Sequence, residues 1–317
     1  MNALSSSPPV GRLAPSPTGH LHLGHARSFL VAWWHARSRG GRIVLRIEDL
    51  DVERVKSGMS DETLRDLEWL GLDWDGAPCI QSTGVASIEA AADELAARGL
   101  AYPCICTRAE IEAAASAPHG PDGAGRYPGT CRGKFTSIAD AERASGRKAA
   151  LRFMARPGEI GIEDGVMGAR SFDIARDAGD FVVMRRAGSP AYQLAVVVDD
   201  ARQGVNEVVR GADLLESAAR QKLLQEALSI RSPKWWHVPL VVDASGRRFA
   251  KRSDDIALAK LRSAGLDPRR VVAWVARHSG IERAEPATAR EFTSHFDMRR
   301  LPRRDVVVDE RALVEFT

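Results

Sequence analysis

Residues 14–25 read APSPTGHLHLGH, a turn that follows a short apolar segment and precedes a helical pattern. Its glycines, Gly19 and Gly24, allow tight turning and a close approach of the backbone to a ligand. The turn opens onto a helix N-terminus, whose free N–H groups and positive dipole end favour phosphate. His22 and His25 can add donors to phosphate oxygens as charge builds on them. We therefore expect this turn to hold the phosphates of a nucleotide; the alternative is an exposed Pro/Gly turn.

The segments around this turn alternate between strand and helix patterns. Apolar runs at 10–16 and 42–51 predict strands, and the sequence 24–41 predicts a helix closed by Gly40 and Gly41. A second helix is expected over 60–71, with Ser60 as its N-cap. Such strand–helix–strand alternation favours a parallel sheet covered by helices.

The second half of the chain continues this alternation after an irregular stretch. Glycine and proline at 118–133 exclude regular structure there. Strands are predicted at 149–155, 180–186 and 192–200. Residues 207–228 read as a strand that turns into a helix, with Asp213 and Glu216 spaced as a capping box. A later helix is expected to begin with Asp267 as N-cap and Pro268 as its first residue.

Composition limits the class of protein. The 317 residues suit one large domain or one domain with a small appendage. The formal net charge of +3 permits a nucleic-acid partner without arguing for one. No stretch approaches the roughly 20 apolar residues of a membrane helix, and the N-terminus has no secretory pattern. We expect a cytoplasmic monomer without a membrane partner.

Three of the four cysteines lie close together in sequence. Cys104, Cys106 and Cys131 supply three soft ligands, and tetrahedral zinc takes four. The fourth is either Tyr127 or His119, of which metal chemistry alone favours the histidine. The alternative is three reduced cysteines packed as small apolar side chains. The remaining thiol, Cys79, is expected to be a free core thiol.

The turn at 14–25 resembles the first ATP-binding motif of the class I aminoacyl-tRNA synthetases, in the form of the glutamyl and glutaminyl branch. Residues 22–25, HLGH, stand at the "HIGH" position. The resemblance runs collinearly over about residues 10–260, through the segments at 46–51, 70–76, 192–200 and 207–215. It implies an α/β fold: a Rossmann-like catalytic domain with a parallel sheet, an inserted zinc-binding segment and a short helical C-terminal region.

That family carries a "KMSKS" loop whose lysine neutralises ATP phosphates. The matching residues here follow the strand HVPLVV and are Arg248, Phe249, Ala250, Lys251 and Arg252. Arg248 replaces the first lysine and Ala250 the usual serine, which removes a hydrogen bond but no charge. The resemblance therefore implies ATP with Mg²⁺, held by His22, Gly24, His25 and Lys251.

The resemblance also implies a pocket for glutamate. Its positions in this chain are Arg12, Ser16, Glu48, Tyr192 and Arg210. The arginines suit the two carboxylates, the glutamate side chain suits the ammonium group, and the hydroxyls supply further hydrogen bonds. Which arginine takes which carboxylate stays open, and each residue alone would read as a strand-end surface residue.

The spacing C-x-C followed by Y-x-x-x-C resembles the zinc site of the glutamyl-queuosine tRNA(Asp) synthetases, short paralogues of glutamyl-tRNA synthetase. This favours Tyr127 as the fourth ligand of one structural zinc. The expected organisation is a first catalytic half at 1–100, an inserted acceptor-type subdomain at 101–190 with the zinc segment at 104–131, a second catalytic half at 191–255 and a helical region at 256–317 without an anticodon-binding domain.

Length separates the relatives, since only some 65 residues follow the lysine loop, too few for a helical anticodon-reading domain. The resemblance thus implies activation of L-glutamate by ATP and its transfer to queuosine in the anticodon loop of tRNA(Asp). The alternatives are a shortened glutamyl-tRNA synthetase that charges a 3′ end, a non-catalytic glutamate- or nucleotide-binding protein, and another nucleotidyltransferase of this fold.

Overall fold

The first strand–helix–strand unit forms as its sequence pattern predicts. In the computed structural model, which describes residues 8–115, 126–186, 188–247, 257–282 and 284–308, the strands β1 (Val10–Leu13) and β2 (Arg42–Ile47) are parallel and joined by the helix α1 (Leu23–Arg37). The short strand β3 (Cys79–Ile80) pairs with β2, also in parallel. Trp33 and Trp34 of α1 are both buried in the core.

Two helices, α2 (Met59–Trp69) and α3 (Val85–Ala97), flank β3 in sequence. The prediction of Ser60 as the N-cap of α2 is wrong. The cap residue is Gly58, in the left-handed region at φ 77°, and no side chain caps this helix. Gly58 reaches a conformation that disfavours side chains, so the helix begins earlier than the serine signal indicates.

The middle of the chain adds a second sheet. The strands β4 (Ala101–Cys104), β5 (Ala150–Phe153) and β8 (Phe181–Met184) form an antiparallel sheet, in the order β4-β5-β8. The remaining elements between β4 and β8 are α4 (Arg108–Ala115), α5 (Ile138–Ser145), β6 (Ile160–Asp164), β7 (Gly168–Phe172) and α6 (Ile174–Asp177). The irregular stretch at 118–133 is described only from residue 126 onward.

The segment at 192–200 is a helix, α7 (Tyr192–Arg202), and the strand prediction there is wrong. Its run of valines is buried on every side, and a continuously apolar run does not distinguish a strand from a buried helix. The predicted capping box after it is also wrong. A short 3₁₀ turn (Ala212–Leu214) separates β9 (Glu207–Gly211) from α8 (Leu215–Ala227), and α8 has no side-chain cap.

The sheet that contains β1 and the sheet that contains β9 meet between these two strands. The strand β10 (Lys234–Val238) pairs in parallel with both β9 and β6, giving the order β7-β6-β10-β9. Asn206 closes the gap to β1, since its backbone N–H donates to Val10 O at 3.1 Å and its side chain accepts from Val10 N at 2.8 Å. In the resulting order β3-β2-β1-β9-β10, the strand numbers fall as far as β1 and rise from β9 onward. Open α/β sheets bind ligands at the carboxyl ends of the two strands between which the order changes in this way.

The last elements pack back onto α1. They are β11 (Val241–Asp243), α9 (Leu258–Ser263), α10 (Pro268–Arg277) and β12 (Val306–Val308), of which β12 pairs with β11. The N-cap prediction for Asp267 is confirmed, because its side chain accepts from Arg269 N and Pro268 follows it. Trp34 Nε1 donates to Ala289 O at 2.7 Å and ties this region to α1. Within the described ranges, no helix combines the length and apolarity needed to cross a bilayer.

Candidate functional site

The histidines of the turn cap the helix that follows it. His22 is the N-cap of α1, and its Nδ1 accepts a hydrogen bond from Gly24 N at 3.1 Å. The Nδ1 atom of His25 accepts from His22 N at 3.2 Å in return. Because both Nδ1 atoms are acceptors, each neutral ring carries its proton on Nε2. The turn thus supplies two imidazole N–H donors beside the free N–H groups of a helix end.

Both rings are neutral near physiological pH. Burial lowers the pKa of His22 to about 4. Burial, together with the neighbouring His22, lowers the pKa of His25 to about 3. The positive potential that would attract phosphate therefore comes from the helix N-terminus and from nearby cations, and the imidazoles act as hydrogen-bond donors.

Gly24 is required by the position of the His22 ring. A Cβ on Gly24 would lie 2.9 Å from His22 Cε1 and 3.1 Å from its Nδ1. Real side chains do not approach so closely, so a larger residue would push the ring out of its capping position. The small residue between the two histidines therefore serves the geometry of the cap.

The lysine loop, with Arg248, Phe249, Ala250, Lys251 and Arg252, lies outside the described residues. The segments on both sides of it contact the histidine turn. Before it, Val241 of β11 would lie 3.7 Å from a Cβ on Gly24. After it, Ala257 forms an antiparallel bridge with His22, and Leu258 N donates to Leu21 O at 2.8 Å. The described segments on both sides of the loop are thus close to the turn.

Four of the five predicted glutamate-binding residues converge at the carboxyl ends of the central strands. Arg12 is the penultimate residue of β1, Glu48 follows β2, Tyr192 begins α7 and Arg210 lies on β9. Arg210 Nη1 lies 3.5 Å from the Tyr192 hydroxyl, and Arg12 Nη1 donates to Val209 O at 2.8 Å. Burial raises the pKa of Glu48, and the charges of Arg46 and Arg12 oppose that rise.

Ser16 stands apart from these four side chains. It is exposed in the turn after β1, and its backbone O accepts from Thr18 N at 2.8 Å. Its neighbour Pro15 is nearer the pocket, since Pro15 O accepts from Glu48 N at 2.9 Å. Ser16 is thus the exposed residue among the five.

The two pocket arginines differ in how many of their donors the protein uses. Within the described residues, Arg12 makes one side-chain hydrogen bond, to Val209 O, and its buried Nε has no hydrogen-bond partner. The nearest carboxylate oxygen to that Nε is Asp200 Oδ1 at 3.7 Å. Arg210 instead donates to four groups, which are His237, Gln221, Tyr192 and Leu214 O. Arg12 therefore has the freer guanidinium for a fork-type contact with a carboxylate.

Sequence reasoning missed Arg46 and Asp200, which hold the Glu48 side chain in place through buried hydrogen bonds. Arg46 is fully buried and donates to Glu48 Oε1 at 3.0 Å and to Asp200 Oδ1 at 2.8 Å. These bonds hold one oxygen of Glu48, so that its Oε2 is the oxygen left for an ammonium group. An arginine inside the apolar strand RIVLRI was the available signal, because a charge there needs a buried partner.

The three clustered cysteines meet as predicted. Their sulfur atoms lie within 4.8 Å of one another, with Cys106 Sγ and Cys131 Sγ 3.4 Å apart. The Tyr127 hydroxyl lies 3.3 Å from Cys104 Sγ and 3.7 Å from Cys106 Sγ. His119 lies outside the described residues.

The three pair distances of 3.3, 3.4 and 3.7 Å are close to those of a tetrahedral zinc site. With Zn–S bonds of about 2.3 Å, ligand atoms at the corners of a tetrahedron are separated by roughly 3.5–3.8 Å. Without a metal, burial raises the pKa of Cys106 to about 11, so metal binding has to displace its proton. The group thus fits zinc in both its chemistry and its spacing.

Comparisons with known proteins agree with this geometry. Residues 10–315 match the family model described as "tRNA synthetases class I (E and Q), catalytic domain". The chain is 44% identical over 306 residues to a protein of Symbiobacterium thermophilum named glutamyl-Q tRNA(Asp) synthetase, covering 93% of this chain and 94% of that protein. A Nocardia farcinica protein of the same name is 46% identical over 307 residues, covering 96% and 95%.

The fold also matches a solved structure. A crystal structure of a glutamate tRNA ligase from Elizabethkingia meningosepticum, in complex with its amino acid, superposes with a TM-score of 0.82 at 24% identity. The match covers 98% of this chain and 69% of that one. At this identity the likeness supports the fold alone. With the family model matching nearly the whole chain and relatives above 40% identity, this chain belongs to the catalytic-domain family of the class I tRNA synthetases for glutamate and glutamine.

Proposed function

We propose that this chain activates L-glutamate with ATP and transfers it to queuosine in the anticodon loop of tRNA(Asp). The observation that carries the proposal is the convergence of Arg12, Arg210 and Glu48 beside the histidine-capped start of α1. Two cations and one carboxylate complement the two carboxylates and one ammonium of glutamate. The acceptor follows the name shared by relatives that align over more than nine-tenths of their length.

Each residue has a distinct role in this proposal. Arg12 pairs with one carboxylate of glutamate through its free donors, and Arg210 adds its charge and one N–H to the other. Glu48 Oε2 accepts from the ammonium group, and the Tyr192 and Ser16 hydroxyls complete the pocket. The Nε2–H groups of His22 and His25 donate to ATP phosphates, and Lys251 contributes a positive charge to them. ATP enters with Mg²⁺, as is usual for this class of reaction.

The reaction has two steps. A carboxylate oxygen of glutamate attacks the α-phosphorus of ATP, and the bond to the β-phosphate oxygen breaks, so that pyrophosphate leaves. A hydroxyl on the cyclopentene ring of queuosine then attacks the glutamyl carbonyl, and AMP leaves with the electrons of the acyl–oxygen bond. Positioning and stabilisation of the developing negative charge carry both steps, and no covalent nucleophile from the protein is needed.

A structural zinc completes the proposal. Cys104, Cys106, Tyr127 and Cys131 would hold it, and it would tie β4 to the glycine- and proline-rich segment that follows α4. That segment has too few apolar residues to order itself, so the free energy of metal binding would order it. The zinc takes no part in the chemistry.

Two assays test the proposal. Pyrophosphate exchange into ATP, measured with each amino acid in the absence of tRNA, should depend on glutamate. If no amino acid supports exchange, even after tRNA is added, the hypothesis of a non-catalytic binding protein would be favoured. Labelled glutamate should then appear on tRNA(Asp) that contains queuosine and not on the same tRNA with guanosine at that position. The label should remain on the tRNA after its 3′-terminal adenosine is removed. Transfer of the label to tRNA(Glu) would instead favour the hypothesis of a shortened glutamyl-tRNA synthetase.

A further inference from the structure

We propose that His237 is a positioning residue for glutamate, because it and Asp164 fix the guanidinium of Arg210 from inside the sheet. This inference rests on the proposed function and adds two residues that do not themselves touch the substrate. Neither residue belongs to the sequence motifs that predicted the pocket.

Neighbouring strands bring the three side chains together. In the parallel pair β9–β10, His237 stands opposite Arg210, and Asp164 ends β6 on the other side of β10. Arg210 Nε donates to His237 Nε2 at 3.1 Å, and His237 Nδ1 lies 2.6 Å from Asp164 Oδ2. The His237 and Asp164 side chains are both fully buried. A continuous hydrogen-bonded row therefore runs from β6 to the pocket.

The hydrogen bonds of this row fix the tautomer of His237. A guanidinium can only donate, so His237 Nε2 must accept and the ring proton must lie on Nδ1, facing Asp164. Burial lowers the pKa of His237, with Asp164 opposing, which favours the neutral ring that this row requires. The carboxylate is fixed in turn, because Asp164 Oδ1 accepts from Val166 N at 3.0 Å and Met167 N at 2.7 Å.

The rest of the guanidinium is held on its other edges. Nη1 donates to Gln221 Oε1 at 2.9 Å, Nη2 donates to Leu214 O at 3.2 Å, and the Trp235 ring lies 4.9 Å from the guanidinium carbon. With Nε committed to His237, the plane of Arg210 has a single orientation. One N–H of Nη2 has no partner among the described residues, and the Tyr192 bond is long at 3.5 Å. Arg210 therefore presents a directed contact, and the His237 bond sets its direction.

The variant Asp164→Asn tests this with almost no change in shape. The backbone amides at Val166 and Met167 keep an acceptor oxygen at the Oδ1 position, so the new amide nitrogen faces His237 Nδ1. That nitrogen donates, which moves the imidazole proton to Nε2 and sets two donors, His237 and Arg210, against each other. We expect the KM for glutamate in pyrophosphate exchange to rise ~10- to 100-fold. The KM for ATP should stay within about twofold, because the phosphate contacts lie elsewhere.

The chain offers a matched control in Glu207→Gln. Glu207 lies on the same strand as Arg210, is buried and pairs with His35 Nε2 at 2.7 Å and with Arg39 Nη2 at 2.6 Å. This variant makes the same chemical change at a second histidine–carboxylate pair, and its KM for glutamate should match that of the parent protein. If the two variants lower the Tm by the same amount and neither changes the KM for glutamate or for ATP, the positioning role is wrong while the proposed function stands.

An activity-independent measurement covers the other outcomes. Long-range ¹H–¹⁵N spectra of the unmodified protein should report His237 as the Nδ1–H tautomer, and an Nε2–H tautomer would overturn the inference even if Asp164→Asn does not fold. A parent protein that shows the expected tautomer but no glutamate-dependent exchange would overturn the proposed function, and with it glutamate as the ligand for which Arg210 is positioned. The variant His237→Gln, which keeps an acceptor for Arg210, should retain a lower KM for glutamate than His237→Leu.

Discussion

His22 and Ala257 pair their backbones in an antiparallel bridge, so the helix cap at the phosphate turn and the segment after the lysine loop form one structural unit. The adjacent hydrogen bond from Leu258 N to Leu21 O, at 2.8 Å, reinforces the pairing. The described segments before and after the lysine loop therefore both contact the turn that we propose to hold the phosphates.

Replacing Lys251 by alanine is expected to lower the rate of pyrophosphate exchange by ~100-fold or more, because one preorganised charge at the phosphates is lost. Arg247→Ala is the control, since Arg247 is exposed and bonded to Ser245 and Asp243 within its own turn. Its exchange rate should stay within about twofold of the parent. Equal rates for both variants would remove the lysine loop from the mechanism.

Replacing Gly24 by alanine should displace the His22 ring, whose Cε1 lies 2.9 Å from the added methyl position. We expect the exchange rate to fall at least ~10-fold and the Tm to change little, because the imidazole is displaced from its donating orientation while α1 keeps its packing. Gly161→Ala is the control, as its added methyl meets no atom within 4 Å. A Gly24→Ala protein with full activity would contradict the cap geometry.

The neutral histidines predict a pH dependence of stability. His25 has its ordinary pKa of about 6.5 when unfolded and a pKa of about 3 when folded, so the unfolded state takes up a proton first as the pH falls. The contribution of His25 to the free energy of unfolding is therefore present in full above pH 6.5 and is lost progressively as the pH falls below that value. Between pH 7 and 5, His25 should account for about 1 to 2 kcal/mol of the loss.

The measurement is urea denaturation of the parent and of His25→Gln at both pH values. Glutamine suits the third position of a capping box and does not titrate. The variant should lose less stability between pH 7 and 5 than the parent. An equal loss in both proteins would show that His25 is protonated in the folded state.

Replacing Arg12 by lysine keeps the charge but removes the fork. We expect the KM for glutamate to rise ~10- to 100-fold, with the KM for ATP unchanged, because a charge-assisted bidentate contact is lost. Arg210→Lys provides the contrast, since it breaks bonds to His237, Gln221 and Leu214 as well. Arg12→Lys should therefore lower the Tm less than Arg210→Lys, and the opposite ranking would reverse the roles assigned to the two arginines.

The zinc proposal predicts about one metal ion per chain and a lower affinity in Tyr127→Phe. Loss of a ligand oxygen should weaken binding by more than about tenfold in competition with a chelator. Tyr102→Phe is the control, because the Tyr102 hydroxyl pairs with Asp180 instead. If Tyr127→Phe binds zinc as tightly as the parent, His119 becomes the better candidate, and a metal-free, fully folded protein would end the proposal.

Local patterns were reliable where chemistry and position coincide within a few residues. The turn at 14–25, the parallel unit of β1 and β2 and the Asp267 cap all formed as predicted, because glycine, proline and capping side chains act on their immediate neighbours. The valine run at 196–198 misled because its apolar residues have no period, and only packing against other elements makes it a helix.

The sequence by itself predicted the first parallel strand–helix–strand unit, the turn at 14–25, the cysteine cluster and four residues that the fold brings together, since each rests on residue types at short or collinear spacing. The tertiary structure alone decided how those residues are supported. The hydrogen bond from Arg46 to Asp200 joins residues 154 positions apart, and the row from Asp164 through His237 to Arg210 joins three strands. A buried charge is stable only beside a partner that satisfies it, and which partner that is depends on the strands that fold beside it.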